Sequence, residues 1–167
     1  MKRTITIVMA LTALLLIASP VLAAKWVDSQ KADFYTVPDG NSDNVSDILA
    51  GGQVTLVDPM GNVSLIIQGN VRDLTPSTTY AVWVRNLAGY TGDYLNNYEP
   101  LGYFMLTTFT TNAKGHGNFH INIGKDDLPD GTYDIQVAIN DLPSDQHPNG
   151  VTKIATQKYT VVTVKGE

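Results

Sequence analysis

Residues 74–85 read Leu-Thr-Pro-Ser-Thr-Thr-Tyr-Ala-Val-Trp-Val-Arg, and this stretch decides the fold. Its first half is turn chemistry. Pro76 presets its own φ, and the hydroxyls of Thr75, Ser77 and Thr78 can bond to nearby backbone. Its second part, Thr79–Arg85, alternates. Tyr80, Val82 and Val84 fall on one face of a strand and Trp83 on the other, because successive side chains cross from face to face. A tyrosine just inside a strand, after a polar turn, can pack its ring under the corner. Its hydroxyl then bonds back to upstream backbone. Leu128-Pro129-Asp130-Gly131-Thr132-Tyr133-Asp134-Ile135 repeats the arrangement in shorter form.

Strand signals separated by turn signals recur on both sides of it. Ala32–Val37 precedes Pro38-Asp39-Gly40-Asn41. Gln53–Val57 lies between Gly51-Gly52 and Asp58-Pro59. Asn62–Gln68 alternates with Val63, Leu65 and Ile67 on one face. Tyr103–Thr111 is β-branched and aromatic. In Asn118–Ile123 the residues Phe119, Ile121 and Ile123 alternate with Asn118, His120 and Asn122. Thr132–Ile139 and Ile154–Lys165 complete the set, and Ser46–Ala50 has the length of one helical turn. The reading is all-β: about eight short strands, each sheet with one buried face, so that two antiparallel sheets cover each other. A closed barrel is the alternative.

Leu-x-Pro-x-Thr-x-Tyr-x-Val at residues 74–82 resembles the strand-entry corner of fibronectin type III domains. The order Tyr80–Val84, a long loop over 86–100, Gly102-Tyr103-Phe104 and a Gly-rich hairpin at Asn112–Gly117 is similar to secreted immunoglobulin-like sandwiches. The resemblance implies an immunoglobulin-like sandwich and nothing about functional residues, since this architecture hosts many unrelated functions. Strand material continues for about fifty residues past the point where a fibronectin domain ends.

Composition agrees. Of the 16 acidic residues only Glu99 and Glu167 are Glu, and 14 residues are Gly. Asp competes for backbone groups and favours turns over helices. A net charge of −5 gives no basic footprint for nucleic acid. The chain has no Cys, which removes disulfides, thiolate metal sites and cysteine nucleophiles.

The start of the chain reads as an export signal. Lys2 and Arg3 precede an apolar run from Ile5 to Ala18, broken by Ser19-Pro20 before Val21-Leu22-Ala23. Cleavage after Ala23 would leave residues 24–167 as one β-sandwich domain, secreted or held in the cell envelope. An uncleaved anchor is the other reading of residues 5–24.

Enzymatic signatures are missing. Ser144, Asp145 and His147 are too close in sequence for an oriented relay. Asp126 and Asp127 read as a solvated turn, and His116 and His120 as solvent-facing. The expectation is a non-enzymatic module. Asp39, Asn41, Asp43 and Asp47 match positions 1, 3, 5 and 9 of a calcium loop. Position 6 is Asn44 and position 12 is Ala50, so an Asx-rich turn is the competing reading and calcium the only cofactor in view. Asn44-Val45-Ser46 and Asn62-Val63-Ser64 are glycosylation acceptors, at Asn44 and Asn62.

The loop over residues 86–100 is long for a compact sandwich. It carries Tyr90, Asp93, Tyr94, Asn97 and Tyr98. Tyrosine gives contact area at low entropy cost, and with Asn and Asp it suits a protein or glycan partner. Tyrosines that merely cap the sandwich end are the competing reading. Self-association through the edges of Ala32–Val37 or Ile154–Val164 is a further alternative.

Overall fold

The computed structural model of the chain describes residues 28–59, 63–87, 89–98, 102–144, 150–157 and 160–164. Residues 1–23, read as an export signal, and Asn62 therefore lie outside the described residues, as do Asp145 and His147.

The described residues are all-β and antiparallel, without a helix. They form ten strands: β1 Asp28–Thr36, β2 Leu49–Asp58, β3 Val63–Val71, β4 Thr79–Arg85, β5 Asn96–Tyr98, β6 Tyr103–Thr110, β7 Gly117–Gly124, β8 Gly131–Asp141, β9 Thr152–Thr156 and β10 Thr160–Val164. The strand order is β5-β6-β4-β8-β9-β1-β2-β3-β7, with β10 paired to β8. Hydrogen bonding is continuous along that order. The sheet curls until its two flanks meet, so the architecture is nearly closed and barrel-like.

β1 makes the continuous path possible. It pairs with β2 from Asp28↔Asp58 to Tyr35↔Leu49, and its last residues pair with β9 on the other side, as in Phe34↔Thr156 and Thr36↔Ile154. The β1–β2 register shifts between Asp33 and Tyr35, and pairing with β2 resumes at Tyr35↔Leu49 while β9 pairs on the other side. A bulge of this kind bends the strand and increases its local twist. Phe34–Thr36 and β9 therefore have partners on both sides, which corrects the expectation of free edges there, while β10, the later part of Ile154–Val164, pairs with β8 alone among the described strands. The ends of the order are β5 and β7.

The flanks meet through aromatic rings. Tyr80 stacks on Phe109 at 6.0 Å, and Phe109 meets Phe119 at 5.8 Å. Phe109 lies against Gly117, and Phe119 lies across Gly69 of the neighbouring strand. Both predicted corners form. The Thr75 N–H donates to the Tyr80 hydroxyl at 3.1 Å, and the Tyr133 hydroxyl donates to the Pro129 carbonyl at 2.6 Å.

The main core takes the predicted inward residues: Leu65 and Ile67 from β3, Tyr80, Val82 and Val84 from β4, and Phe119, Ile121 and Ile123 from β7. β4 and β8 depart from the expectation of one buried face. Ala81 and Trp83 of β4 and Ala138 of β8 are buried on the opposite side, with Val37, Met105 and Ala155. Residues 37–48 fold over that side, and Val45 packs on it. Ser46–Ala50 is not a helical turn. Ser46 ties this covering loop to β1: its N–H donates to the Thr36 carbonyl, and its hydroxyl lies 2.6 Å from that of Thr36. Leu49 then opens β2.

Candidate functional site

Two places come forward: the tyrosine loop and the loop-covered face of β4.

The tyrosine loop is more structured than its length suggests. Tyr90 is half-buried against the core, edge-on to Phe104 at 5.1 Å, and its hydroxyl donates to the Asp93 carbonyl at 2.8 Å. The Thr91 N–H donates to the Asp127 carbonyl at 2.8 Å, which fixes the loop to the turn after β7. Tyr90 thus packs on the core and ties the loop to it. Asp93 is exposed. Tyr94 leans on Phe104 at 5.5 Å yet remains 45% exposed, and Leu95 beside it is 63% exposed. Asn97 and Tyr98 are in β5, paired with Phe104 and Tyr103 of β6. Their side chains lie outside the described structure.

Burial, reinforced by the carboxylates of Asp127 and Asp93, pushes the Tyr90 phenol above its ordinary value of 10.0. Burial and then Asp130 do the same to Tyr133. The fold thus favours the neutral phenols. This stability is fully present below the unfolded value and is lost as pH rises through the raised one. The melting temperature should fall as pH climbs above about 10. Tyr90→Phe and Tyr133→Phe should each flatten that fall in a pH series of thermal melts.

The candidate calcium loop is held by its own side chains. Asp39 accepts from the Asn41 N–H at 3.0 Å and from the Asn44 amide. The Asn44 bond first, and then the Asn41 bond, hold the Asp39 carboxyl below its ordinary value. The Asn41 side chain accepts from the Asp43 N–H at 3.0 Å. Asp43 forms an ion pair with Arg85 of β4. Asp47 is exposed. Among the described residues no group of three or more metal-binding side chains comes together. Asn44 is exposed, with its amide engaged on Asp39.

The other side chains read as candidates are plainly placed. His116 and His120 are exposed, and His120 Nε2 lies 2.9 Å from Asn122 Oδ1. Asp127 accepts from the Gly124 N–H at 3.2 Å and closes a turn.

The covered face of β4 was not legible as a site. A half-open cavity of about 280 Å³ lies between residues 40–43 and the sheet, with Trp83, Tyr103, Asn140 and Thr152 among its walls. Gln136 anchors the covering loop from below. Its amide donates to the Ser42 carbonyl at 2.9 Å and to the Thr156 carbonyl at 3.2 Å. Arg85 anchors it from the side, paired with Asp43 and lying 4.4 Å over the Tyr103 ring. Trp83 is 2% exposed, and its indole N–H has no hydrogen-bond acceptor among the described residues. The one sequence signal was Trp83 on the face of β4 opposite Tyr80, Val82 and Val84.

Comparison with protein-family models, with curated proteins and with solved structures gives no match.

Proposed function

We propose that the chain is an exported, non-enzymatic binding module of the cell exterior, with residues 1–23 removed. Its contact surface is the rim formed by Tyr94 and Leu95, and its partner there is a protein. The finer architecture belongs to the same reading: an immunoglobulin-like pair of sheets, β1-β2-β3-β7 facing β5-β6-β4-β8-β9.

One observation carries the assignment. Tyr94 and Leu95 are exposed side by side at the entry to β5, an end strand, while Tyr90 and Phe104 hold the loop in place beneath them. An exposed apolar pair on a held loop loses little entropy on binding. The end strand adjoining it offers backbone groups to an incoming segment. A protein suits this rim better than a glycan, because Leu95 has no hydrogen-bonding group to exchange for those of a sugar.

The test is binding of the labelled protein to envelope fractions of its host. Tyr94→Ala with Leu95→Ser should weaken it at least about tenfold. The melting temperature should stay close to that of the parent, because both side chains are substantially exposed. Undiminished binding would remove the rim from the account. Self-association is the second reading, favoured by the two strands that end the order, β5 and β7. A concentration-dependent dimer that the double variant abolishes would make a second copy of the chain the partner.

A further inference from the structure

We infer that the outer edge of β7 is an interface for a second copy of this chain, which joins it strand to strand in an antiparallel register centred on His120. This surface is at the other end of the strand order from the Tyr94–Leu95 rim and uses none of its residues.

Natural sheets guard their edges with short strands, charges, prolines or bulges. β5 and β10 are short, at three and five residues. β7 has none of these devices. It runs for eight residues, Gly117–Gly124, without Asp, Glu, Lys, Arg or Pro. Its ladder with β3 is unbroken from Val71↔Gly117 to Leu65↔Ile123. The preceding strand does not cover it. β6 ladders with β4 and β5, and Phe109 of β6 lies on the core side, against Gly117.

The two ends of β7 show which way its backbone groups point. His116, just before the strand, donates its N–H to Asn112 Oδ1 at 3.1 Å and accepts from the Asn112 N–H at 2.8 Å. Gly124, its last residue, donates to Asp127 Oδ2 at 3.2 Å and accepts from the Asp127 N–H at 3.1 Å. Neither partner belongs to β3, so His116 and Gly124 both turn their backbone groups away from it. In an antiparallel ladder alternate residues turn theirs to the same side. Asn118, His120 and Asn122 therefore direct N–H and C=O to the outer edge, where no described strand pairs with them.

Those three residues select the register. Centring on His120 sets Asn118 against Asn122 of the second copy and His120 against its own equivalent. Every backbone group in that set is available. Centring on Ile121 would set Asn118 against Gly124, which Asp127 holds, and centring on Phe119 would set Asn122 against His116, which Asn112 holds. Side chains agree with the choice. On the outer face amide meets amide, and Asn70 of β3 already lies beside Asn118, so a row of carboxamides crosses the junction. On the inner face Phe119 meets Ile121. These two keep 7% and 8% exposure, against 1% for Ile123. A two-fold axis makes every match twice, which an unrelated strand does not do.

The experiment follows the mass of protein purified from its host by sedimentation equilibrium, from micromolar to millimolar concentration. The parent should form a reversible dimer. His120→Lys and His120→Glu each bring like charges together at the axis and should each weaken the dimer at least about tenfold. His120 is exposed, so both variants should melt close to the parent. Mixed in equal amounts they should recover the dimer, because opposite charges then face each other. Asn122→Pro removes an outward N–H that the fold does not use, and should weaken the dimer even if a charge at position 120 disturbs the strand. A parent that stays monomeric throughout would overturn the proposal. So would a dimer undiminished in all three variants, or loss in both charge variants without recovery in the mixture. A dimer abolished by Tyr94→Ala with Leu95→Ser, and untouched by the β7 variants, would overturn it as well and place the contact at the rim.

Discussion

Gly115→Val should destabilise the domain by about 2–5 kcal/mol, from left-handed strain added to overpacking. Gly115 has φ 76° in the hairpin between β6 and β7. A side chain there would place its Cβ 2.1 Å from the Leu74 carbonyl oxygen. That oxygen is backbone, so no rotamer change relieves the contact. A β-branched residue in the left-handed region adds its own strain. The consequences reach past the hairpin, because the Leu74 N–H donates to the Gly115 carbonyl at 3.3 Å. Leu74 opens the corner that sets Tyr80 in the core. Thr111 reinforces the junction, its hydroxyl donating to the Thr75 carbonyl at 2.7 Å. Chemical denaturation of Gly115→Val checks the prediction. A midpoint equal to that of the parent would show that the corner and the hairpin are not joined as described.

Gln136→Leu should cost on the order of 2–4 kcal/mol and should act on the covering loop more than on the core. Gln136 is 2% exposed, and its amide serves two carbonyls, those of Ser42 and Thr156. Leucine matches the volume but donates nothing. Removing one partner of a buried hydrogen bond costs about 1–3 kcal/mol for each polar group stranded. Ser42 belongs to the loop and Thr156 to β9, so the substitution cuts the tie between loop and sheet. Amide exchange should quicken over residues 38–47 while β3 and β7 remain protected. Equal exchange in parent and variant would show that the loop is held by other contacts.

The strands were legible where period-2 alternation was clean. β4 has the bounds read from the sequence, Thr79–Arg85. In β7, Phe119, Ile121 and Ile123 are buried and Asn118, His120 and Asn122 exposed, as their alternation implies. The losses have physical causes. β5 is three residues, Asn96–Tyr98, too short and too polar to announce itself. The final strand is two, β9 and β10, because both run along β8 with a break between them. The covering of β4 was invisible for a deeper reason. Alternation tells which face a side chain takes, and nothing about what will lie on that face. Trp83 was placed opposite Tyr80, and only the tertiary path of residues 37–48 made that side a second interior.

The tyrosine loop divides in the same way. Composition marked it as a recognition surface, yet composition cannot separate a tyrosine that supports a loop from one that the loop presents. Phe104 does the separating: Tyr90 packs edge-on against it, while Tyr94 leans on it with nearly half its surface in solvent.

Photo-crosslinking in the host is the most direct measurement of the central claim, that the Tyr94–Leu95 rim holds a partner at the cell exterior. The substitution Tyr94→p-benzoyl-phenylalanine puts the reactive group on the rim. The same group in place of Asn118, exposed on β7 at the other end of the strand order, is the control. Irradiation of intact cells should give one discrete adduct from position 94 and none of that mass from position 118. Absence of any adduct from position 94, or the same adducts from both positions, would contradict the account.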